Sequence, residues 1–194
     1  MTEAHLFALG LALAALSGVR AYLTVFGIGL AGLAGWVDLP PALAVATSPW
    51  VLITAGALTL VEFAADKIPG VDSGWDVLQT VLRVPVGAFL AAATLSVDGD
   101  LGTGAALAGG ATALLTHVLK SGSRAAINTS PEPVSNWIVS LGEDTLAVGG
   151  LALVFAHPWL VLGTVVGVML AVTLAVAWVL RVVLRTFRRP APTG

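Results

Sequence analysis

The stretch WLVLGTVVGVMLAVTLAVAWVLRVV, residues 159–183, decides the class of fold, because Arg181 is its only charged residue. A helix needs about 20 apolar residues to cross the hydrocarbon core of a bilayer. The whole chain shares this character, since 57 % of its 194 residues are apolar and 10 % are charged, against roughly 25 % charged residues in soluble domains. We therefore predict an all-α integral membrane protein, with one domain over residues 1–187 and a short basic cytoplasmic tail at 188–194.

Five further apolar stretches predict a polytopic transmembrane helix bundle of about six spans. Turn-forming segments rich in Pro, Gly and Asp separate these stretches, which lie at 21–36, 50–65, 76–97, 101–119 and 137–156. The apolar run Leu6–Ser17 precedes them and, as a helix, would rise only about 18 Å. It predicts a half-helix, or the first part of a longer helix that breaks at Ser17–Gly18. A secretory signal is disfavoured because no Lys or Arg precedes the run.

The distribution of basic residues predicts the orientation of the bundle. They lie in every second connection and in the tail, at positions 67, 120, 124, 181, 185, 188 and 189, whereas the connections at 37–49 and 97–101 carry only Asp. Cytoplasmic connections are the ones that carry Lys and Arg, so the C-terminus is expected in the cytoplasm, with the protein in the cell (inner) membrane. Tryptophan favours the headgroup region, and Trp36, Trp50, Trp75, Trp137 and Trp159 all lie at predicted span ends.

Polar residues inside the predicted spans form four stripes at helical spacing, and residues spaced in this way share one face of a helix. The stripes are Thr59, Glu62, Asp66; Asp72, Asp76, Gln79, Arg83; His117, Lys120, Arg124; and Asn136, Ser140, Glu143 with Asp144 beside it. Ionisable groups within a membrane usually face protein or a water-filled cavity. The resulting candidates for binding a substrate or ion are Arg20, Glu62, Asp66, Asp76, Gln79, Arg83, His117, Lys120, Arg124, Asn136, Glu143 and Asp144.

Three interpretations of the stripes remain open at the level of sequence. They could line a polar cavity that opens to the cytoplasm, or acidic and basic stripes could neutralise one another and hold the bundle together. Charges near helix ends could also reach the membrane interface along their own side chains. For Asp76 there is a further alternative, because Ser73 and Asp76 match a capping box in which Ser73 precedes the helix.

Two patterns suggest close packing or internal symmetry. The segment SGVRA (17–21) recurs as SGSRA (121–125), and Pro69, Asp72, Asp76, Gln79 align with Pro133, Asn136, Ser140, Glu143 at a constant offset of 64. These echoes are compatible with a degenerate internal repeat, an arrangement found in many transporters. Gly163 and Gly167 form a GxxxG pattern, which permits close helix contact within the monomer or between two copies in a homo-oligomer.

Composition also excludes several classes of function. The chain has no cysteine, so a disulfide scaffold and a thiolate metal site are excluded. The net charge of −2 and the scattered basic residues argue against binding to nucleic acid. No cofactor motif is present, and none of the three histidines is paired with a nucleophile in a catalytic pattern. The expected partners are the lipid bilayer and an unidentified small solute.

The blocks SGVRAYLT (17–24), LVEFAADKIPGVDSGWD (60–76) and INTSPEPVSNW (127–137) resemble the signature blocks of a family of small bacterial multi-pass membrane proteins catalogued as a domain of unknown function. The resemblance covers most of the chain, from about Leu11 to Pro158. It implies a membrane protein and no particular activity. The blocks coincide with the polar stripes, which implies a shared cavity or a shared packing core.

Three functions are compatible with these features. The first is a transporter or channel for a small polar or ionic solute, in which Arg20 and Arg124 bind an anionic group or balance carboxylates that carry protons. In that case Glu62→Gln or Glu143→Gln should abolish transport and leave the fold intact. The second is a membrane enzyme on a lipid phosphate, with a divalent cation at Asp66, Asp72 and Asp76 and phosphate at Lys120 and Arg124. The third is a membrane scaffold without a solute pathway, in which the stripes pair fully.

Overall fold

A computed structural model describes residues 2–68, 70–95, 102–129 and 133–187, and all elements in these ranges are helices. The prediction of an all-α fold is confirmed. The elements are α1 (Glu3–Val19), α2 (Ala21–Leu33), a 3₁₀ helix (Pro41–Thr47), α3 (Pro49–Ala65), α4 (Val71–Thr94), α5 (Thr103–Ile127), α6 (Pro133–Leu153) and α7 (Pro158–Phe187). The expected tail at 188–194, the break at 97–101, and Pro69 of the offset-64 echo lie outside the described residues.

Two of the described helices are long and apolar enough to cross a membrane, namely α4 and the Pro158–Val182 part of α7. The 3₁₀ helix and α3 make a third candidate if the pair, bent by 66°, counts as one span, whereas α1 and α2 are shorter apolar helices. Large apolar side chains cover the outside of the molecule, as Val81 (75 % exposed) and Leu174 (68 %) show. Because soluble proteins do not expose apolar surface on this scale, this exterior is typical of helices surrounded by lipid.

Helix α1 is the centre of the bundle. Its residues are buried without interruption from Ala12 to Val19, and Ala8, Leu9 and Gly10 are buried as well, so that it packs against α4, α5 and α7. A helix that is apolar on all sides belongs in a core, which is where the Leu6–Ser17 run lies. The chain breaks at Arg20 (φ −142°, ψ 86°), so the expected break at Ser17–Gly18 is wrong by two residues, and α1 and α2 are separate helices.

Small residues allow the central helices to approach closely. A Cβ on Gly18 of α1 would lie 1.9 Å from Oγ1 of Thr116, and a Cβ on Gly109 of α5 would lie 2.5 Å from the carbonyl oxygen of Gly87 on α4. Close backbone approach of this kind is how membrane helices gain packing energy. Gly163 and Gly167 are different, because a Cβ on either would meet nothing within 4 Å. The GxxxG pattern therefore does not pack helices together within the described part of the monomer.

The central helices run antiparallel and bring their polar ends together. Gly10 of α1 lies beside Ala91 of α4, whereas Gly18 of α1 accepts a hydrogen bond from Arg83 at the other end of the contact. The same alternation continues along the chain, so the C-terminal ends of α1, α3 and α5 lie with the N-terminal ends of α2, α4 and α6. The four polar stripes all belong to this end of the bundle.

Several predicted boundaries differ from the structure for one reason. Helix α4 begins at Val71, five residues before the expected start, and α5 continues to Ile127. The polar stripes were expected at the edges of spans, but their side chains have partners inside the protein, so the helices continue through them. The two copies of the shorter echo differ in backbone structure, because SGVRA contains the helix break at Arg20 whereas SGSRA lies within the uninterrupted α5.

Candidate functional site

The four stripes converge in one group of ionisable side chains, which we call the buried charge cluster. Ten of its members are no more than 7 % exposed, and the eleventh, Asp144, has an 18 % exposed side chain. Its members are Arg20, Glu62, Asp66, Lys67, Asp72, Asp76, Arg83, Lys120, Arg124, Glu143 and Asp144. Charges near helix ends therefore do not reach out to the interface here, and the interpretation that they do is wrong for these residues.

Arg124 of α5 holds one part of the cluster together. Its guanidinium contacts both carboxylate oxygens of Glu143 on α6, at 3.2 Å and 2.6 Å, and donates to Oδ1 of Asn136 at 2.8 Å. Lys120, one turn earlier, donates to Oδ2 of Asp66 at 2.8 Å. Two-pronged contacts between arginine and a carboxylate are among the strongest polar contacts in proteins, so this part joins α3, α5 and α6 firmly.

Arg20 enters the cluster from the break between α1 and α2. It donates to the carboxylate of Asp66, and its Nη2 lies 2.6 Å from Oδ1 of Asp144 and 3.3 Å from Oγ of Ser140. Because the chain leaves helical geometry at this residue, the side chain projects from the break between the two helices into the group of carboxylates. The break thus positions a charge that a continuous helix would hold at a different angle.

Lys67 is a member of the cluster that sequence reasoning missed, because it was assigned to a connection. Its ammonium lies 3.1 Å from Oδ2 of Asp144 and 3.3 Å from Oγ of Ser140, and 3.1 Å from the centre of the Phe63 ring. The contact with the ring is a cation–π interaction. Its position directly after the Glu62–Asp66 stripe is the only signal in the sequence that could have indicated this role.

Asp72 and Asn128 form a second feature that the sequence did not reveal. The amide of Asn128 donates to both oxygens of Asp72, at 2.8 Å and 2.9 Å, and the main-chain N–H groups of Gly70 and Ser73 donate to Oδ1 of Asp72. Helix α4 begins at Val71, so Ser73 is not the N-cap and the predicted capping box is wrong. Asn128 continues the His117–Lys120–Arg124 stripe by one turn, a signal that was available.

Arg83 of α4 organises the remaining part of the cluster. Its Nη2 lies 2.7 Å from Oε1 of Glu62 and 3.4 Å from Oδ1 of Asp76. Its other nitrogens donate to Oε1 of Gln79 at 2.6 Å and to the carbonyl oxygen of Gly18 at 2.7 Å. Arg83 therefore joins α4 to α3 and to the central helix, and two carboxylates share it.

The protonation state of His117 follows from its two neighbours. Arg83 Nη1 lies 3.0 Å from Nδ1 of His117, and since a guanidinium only donates, Nδ1 must accept. The proton of the neutral ring is then on Nε2, which lies 2.7 Å from Oγ1 of Thr80. The Thr80 hydroxyl in turn donates to the carbonyl oxygen of Asp76. His117 is thus a neutral residue beside the cluster and contributes no charge to it.

Several buried polar atoms of this region accept or donate no hydrogen bond. They include Oε2 of Glu62, both carboxylate oxygens of Asp76, Nε2 of Gln79 and Oδ1 of Asp66. More than nine in ten buried polar groups of native proteins have a partner. The atoms of Glu62, Asp76 and Gln79 lie around Arg83, where a proton, water or solute would complete their hydrogen bonds.

A cavity of about 270 Å³ lies against the edge of the cluster, between α2, α3 and α6. Apolar side chains form much of its wall, among them Leu23 and Phe63, and Arg20, Glu62 and Asp144 line it as well. The cavity gives Glu62 a route toward the outside of the bundle.

The proposed cation site at three aspartates does not form. Within the described ranges, no group of three or more His, Cys, Asp or Glu residues is arranged to hold a metal ion. Asp72 is occupied by Asn128 and by main-chain N–H groups, and Asp66 by the side chains of Arg20 and Lys120. The prediction that Asp66, Asp72 and Asp76 share a divalent cation is therefore wrong.

Fold and site together define an all-α protein with helices suited to crossing a membrane and a charge cluster buried among them. The chain belongs to the family described as domain of unknown function DUF4126, whose family model matches residues 7–181. The family was identified correctly from the three signature blocks, and the match extends beyond them into α7. Comparison with curated proteins and with solved structures gives no match.

Proposed function

We propose that this protein is a transporter for a small polar or ionic solute, with the buried charge cluster as its binding site. The observation that carries the proposal is the set of buried carboxylate oxygens without a hydrogen-bond partner on Glu62, Asp66 and Asp76. A cluster that served only to hold helices together would be expected to satisfy these atoms, because each unsatisfied one costs about 1–3 kcal/mol.

The proposal includes a bundle of about six spans with the C-terminus in the cytoplasm. The alternating helix directions support this arrangement, because they bring Lys67, Lys120, Arg124 and the basic end of α7 toward one side. That side would be cytoplasmic by the bias of Lys and Arg. The charge cluster then lies near the cytoplasmic surface, and the apolar part of α1 closes the bundle on the other side.

Gln79 and His117 are at most 2 % exposed in the structure, which on this proposal corresponds to a closed state of the site. A transporter must open, so a water-soluble reagent should reach these residues from the cytoplasm. The chain has no cysteine, and single cysteines at Glu62, Gln79, His117 and Glu143 can be treated in inverted membrane vesicles with a small charged thiol reagent. We expect labelling of all four variants.

Leu78→Cys is the matched control for Gln79→Cys. The two residues are neighbours on α4 at nearly the same depth, but Leu78 is 67 % exposed on the apolar outside of the bundle. A charged reagent should label position 79 and leave position 78 unlabelled, because lipid excludes it from the outer face. Protection of all four cluster positions in folded protein would overturn the transport proposal.

A scaffold without a solute pathway is the second candidate function, and the ion pairs favour it. The contact of Arg124 with Glu143 joins α5 to α6, and that of Arg20 with Asp144 joins α6 to the break between α1 and α2. In that case the cluster would remain closed, and the labelling experiment would give protection at all four positions. The same measurement therefore decides between the two functions.

A further inference from the structure

The buried charge cluster contains more carboxylates than cations. Six carboxyl groups, of Glu62, Asp66, Asp72, Asp76, Glu143 and Asp144, face five cations, of Arg20, Lys67, Arg83, Lys120 and Arg124. His117 is neutral because of its hydrogen bond from Arg83, so it does not balance the difference. Among the described residues of the cluster, one negative charge is therefore left over.

The contacts locate this surplus at Arg83. Asp66, Glu143 and Asp144 have close contacts with the other four cations, such as Arg124 with Glu143 at 2.6 Å. Asp72 lies 3.6 Å from Arg124, but four hydrogen bonds from Asn128, Gly70 and Ser73 stabilise its charge, whereas neither carboxylate oxygen of Asp76 accepts one. Arg83 alone is within 3 Å of Glu62, and it lies 3.4 Å from Asp76 through the same nitrogen. Lys120 also lies 3.4 Å from Asp76, but its shorter contact, 2.8 Å, is with Asp66. Glu62 and Asp76 thus share one full cation.

We propose that Glu62 and Asp76 bind one exchangeable proton between them, and that this proton is the coupling ion of the transporter. The coupling role rests on the proposed transport function, whereas the bound proton does not. Two carboxylates that are both buried and held against one arginine cannot both stay ionised without a large cost. The proton comes from water and adds to Oε2 of Glu62 or Oδ2 of Asp76, both buried and without a hydrogen bond.

The surroundings favour a proton over a metal ion. Asp76 is flanked by the positive charges of Arg83 and Lys120, each 3.4 Å away, and these would repel a metal cation. Other charged or titratable groups that act on the pair come from the neighbouring helices. They are Arg20 at the α1–α2 break, Tyr22 on α2, His117 and Arg124 on α5, and Asp144 on α6 at the cavity beside Glu62.

Infrared difference spectroscopy tests the bound proton directly. The purified protein in lipid should show the carbonyl stretch of one protonated carboxyl group per chain, and this band should disappear when the pH is raised. Glu62→Gln and Asp76→Asn should each remove the band, because the remaining carboxylate then has Arg83 to itself. Both variants should fold, since each brings the cluster to five carboxyls and five cations. Asp38→Asn, which changes an exposed carboxyl outside the cluster, should keep the band.

Three results would overturn the proposal. The band could be absent from folded wild-type protein at every pH, or it could persist in both variants, which would place the proton on another carboxyl. Sodium could also displace the band at constant pH, which would identify a metal cation as the ligand. A band that behaves as expected in a protein that fails the cysteine-labelling test would leave the proton site standing and refute transport alone. Labelling of the cysteine variants as expected, in a protein that lacks the band, would refute only the proton site.

Discussion

Replacement of Arg124 by glutamine should destabilise the protein strongly, because this arginine is fully buried and its loss leaves charges behind. Glu143 would lose contacts of 3.2 Å and 2.6 Å and retain only Arg20 and Lys120, each 3.9 Å away. Removal of one partner of a buried ion pair costs about 3–5 kcal/mol. A hydrogen bond from the new glutamine would recover about 1 kcal/mol, so we expect a net loss of about 2–4 kcal/mol.

The double variant Arg124→Gln/Glu143→Gln should restore much of this loss, because it removes both charges together. Buried ion pairs replaced as a pair are often neutral in stability. The free energy of unfolding can be measured by titration with SDS in mixed micelles, followed by the fluorescence of the six tryptophans. The two single variants and the double variant form a double-mutant cycle. The reasoning would be refuted if Arg124→Gln lowered the free energy of unfolding by less than about 1 kcal/mol. It would also be refuted if the double variant were no more stable than either single variant.

The unfolding assay also separates the roles of two glutamates for which the sequence predicted the same behaviour. Glu62→Gln and Glu143→Gln were both expected to abolish transport and leave the fold intact. The structure supports the intact fold for Glu62, which shares its cation with Asp76, and predicts a loss of stability for Glu143, whose removal strands Arg124. Unfolding measurements on the two single variants test this difference.

Three further predictions concern stability and use the same unfolding assay. Gly109→Ala should lower the free energy of unfolding by about 1–3 kcal/mol through overpacking, because the new Cβ would meet α4. Gly163→Ala should not lower it, because the new Cβ would meet no atom within 4 Å. Equal effects of the two substitutions would contradict the close contact between α4 and α5. Gly70→Ala should cost about 1–2 kcal/mol, since Gly70 has φ +85° at the start of α4, and no change would rule out that conformation. Lys67→Met should cost less than Arg124→Gln, because Asp144 keeps a second cationic partner, Arg20, at 2.6 Å, and a loss as large as that of Arg124→Gln would be inconsistent with this.

Helical periodicity made much of the fold and the membership of the cluster predictable. The stripe through Asp72, Asp76, Gln79 and Arg83 is buried at all four positions, because side chains at these spacings must share a face. The opposite faces carry the apolar residues that lipid requires. The spacing of polar residues along one helix therefore predicts which face of that helix turns inward. This prediction needs no information about the other helices.

Contacts between helices were not predictable in the same way. Whether acidic and basic stripes face each other depends on helix order around the bundle, which spacing within one helix does not specify. The pairing of Arg124 with Glu143 and the burial of Lys67 both depend on that order. The break at Arg20 was misplaced by two residues, because the glycine at position 18 serves close packing against Thr116 rather than a turn.

The position of Arg20 at the end of the innermost helix has a consequence for how the protein is made. In the proposed membrane bundle, helices enter the membrane in the order of synthesis, so Arg20 is the first charge of the cluster to arrive, and Asp66 follows 46 residues later. Asp144 arrives only with α6. A lone arginine within the bilayer is costly, and only helices synthesised later can neutralise it. Completion of the bundle, rather than insertion of any single helix, is therefore the step that makes the first helix stable where it lies.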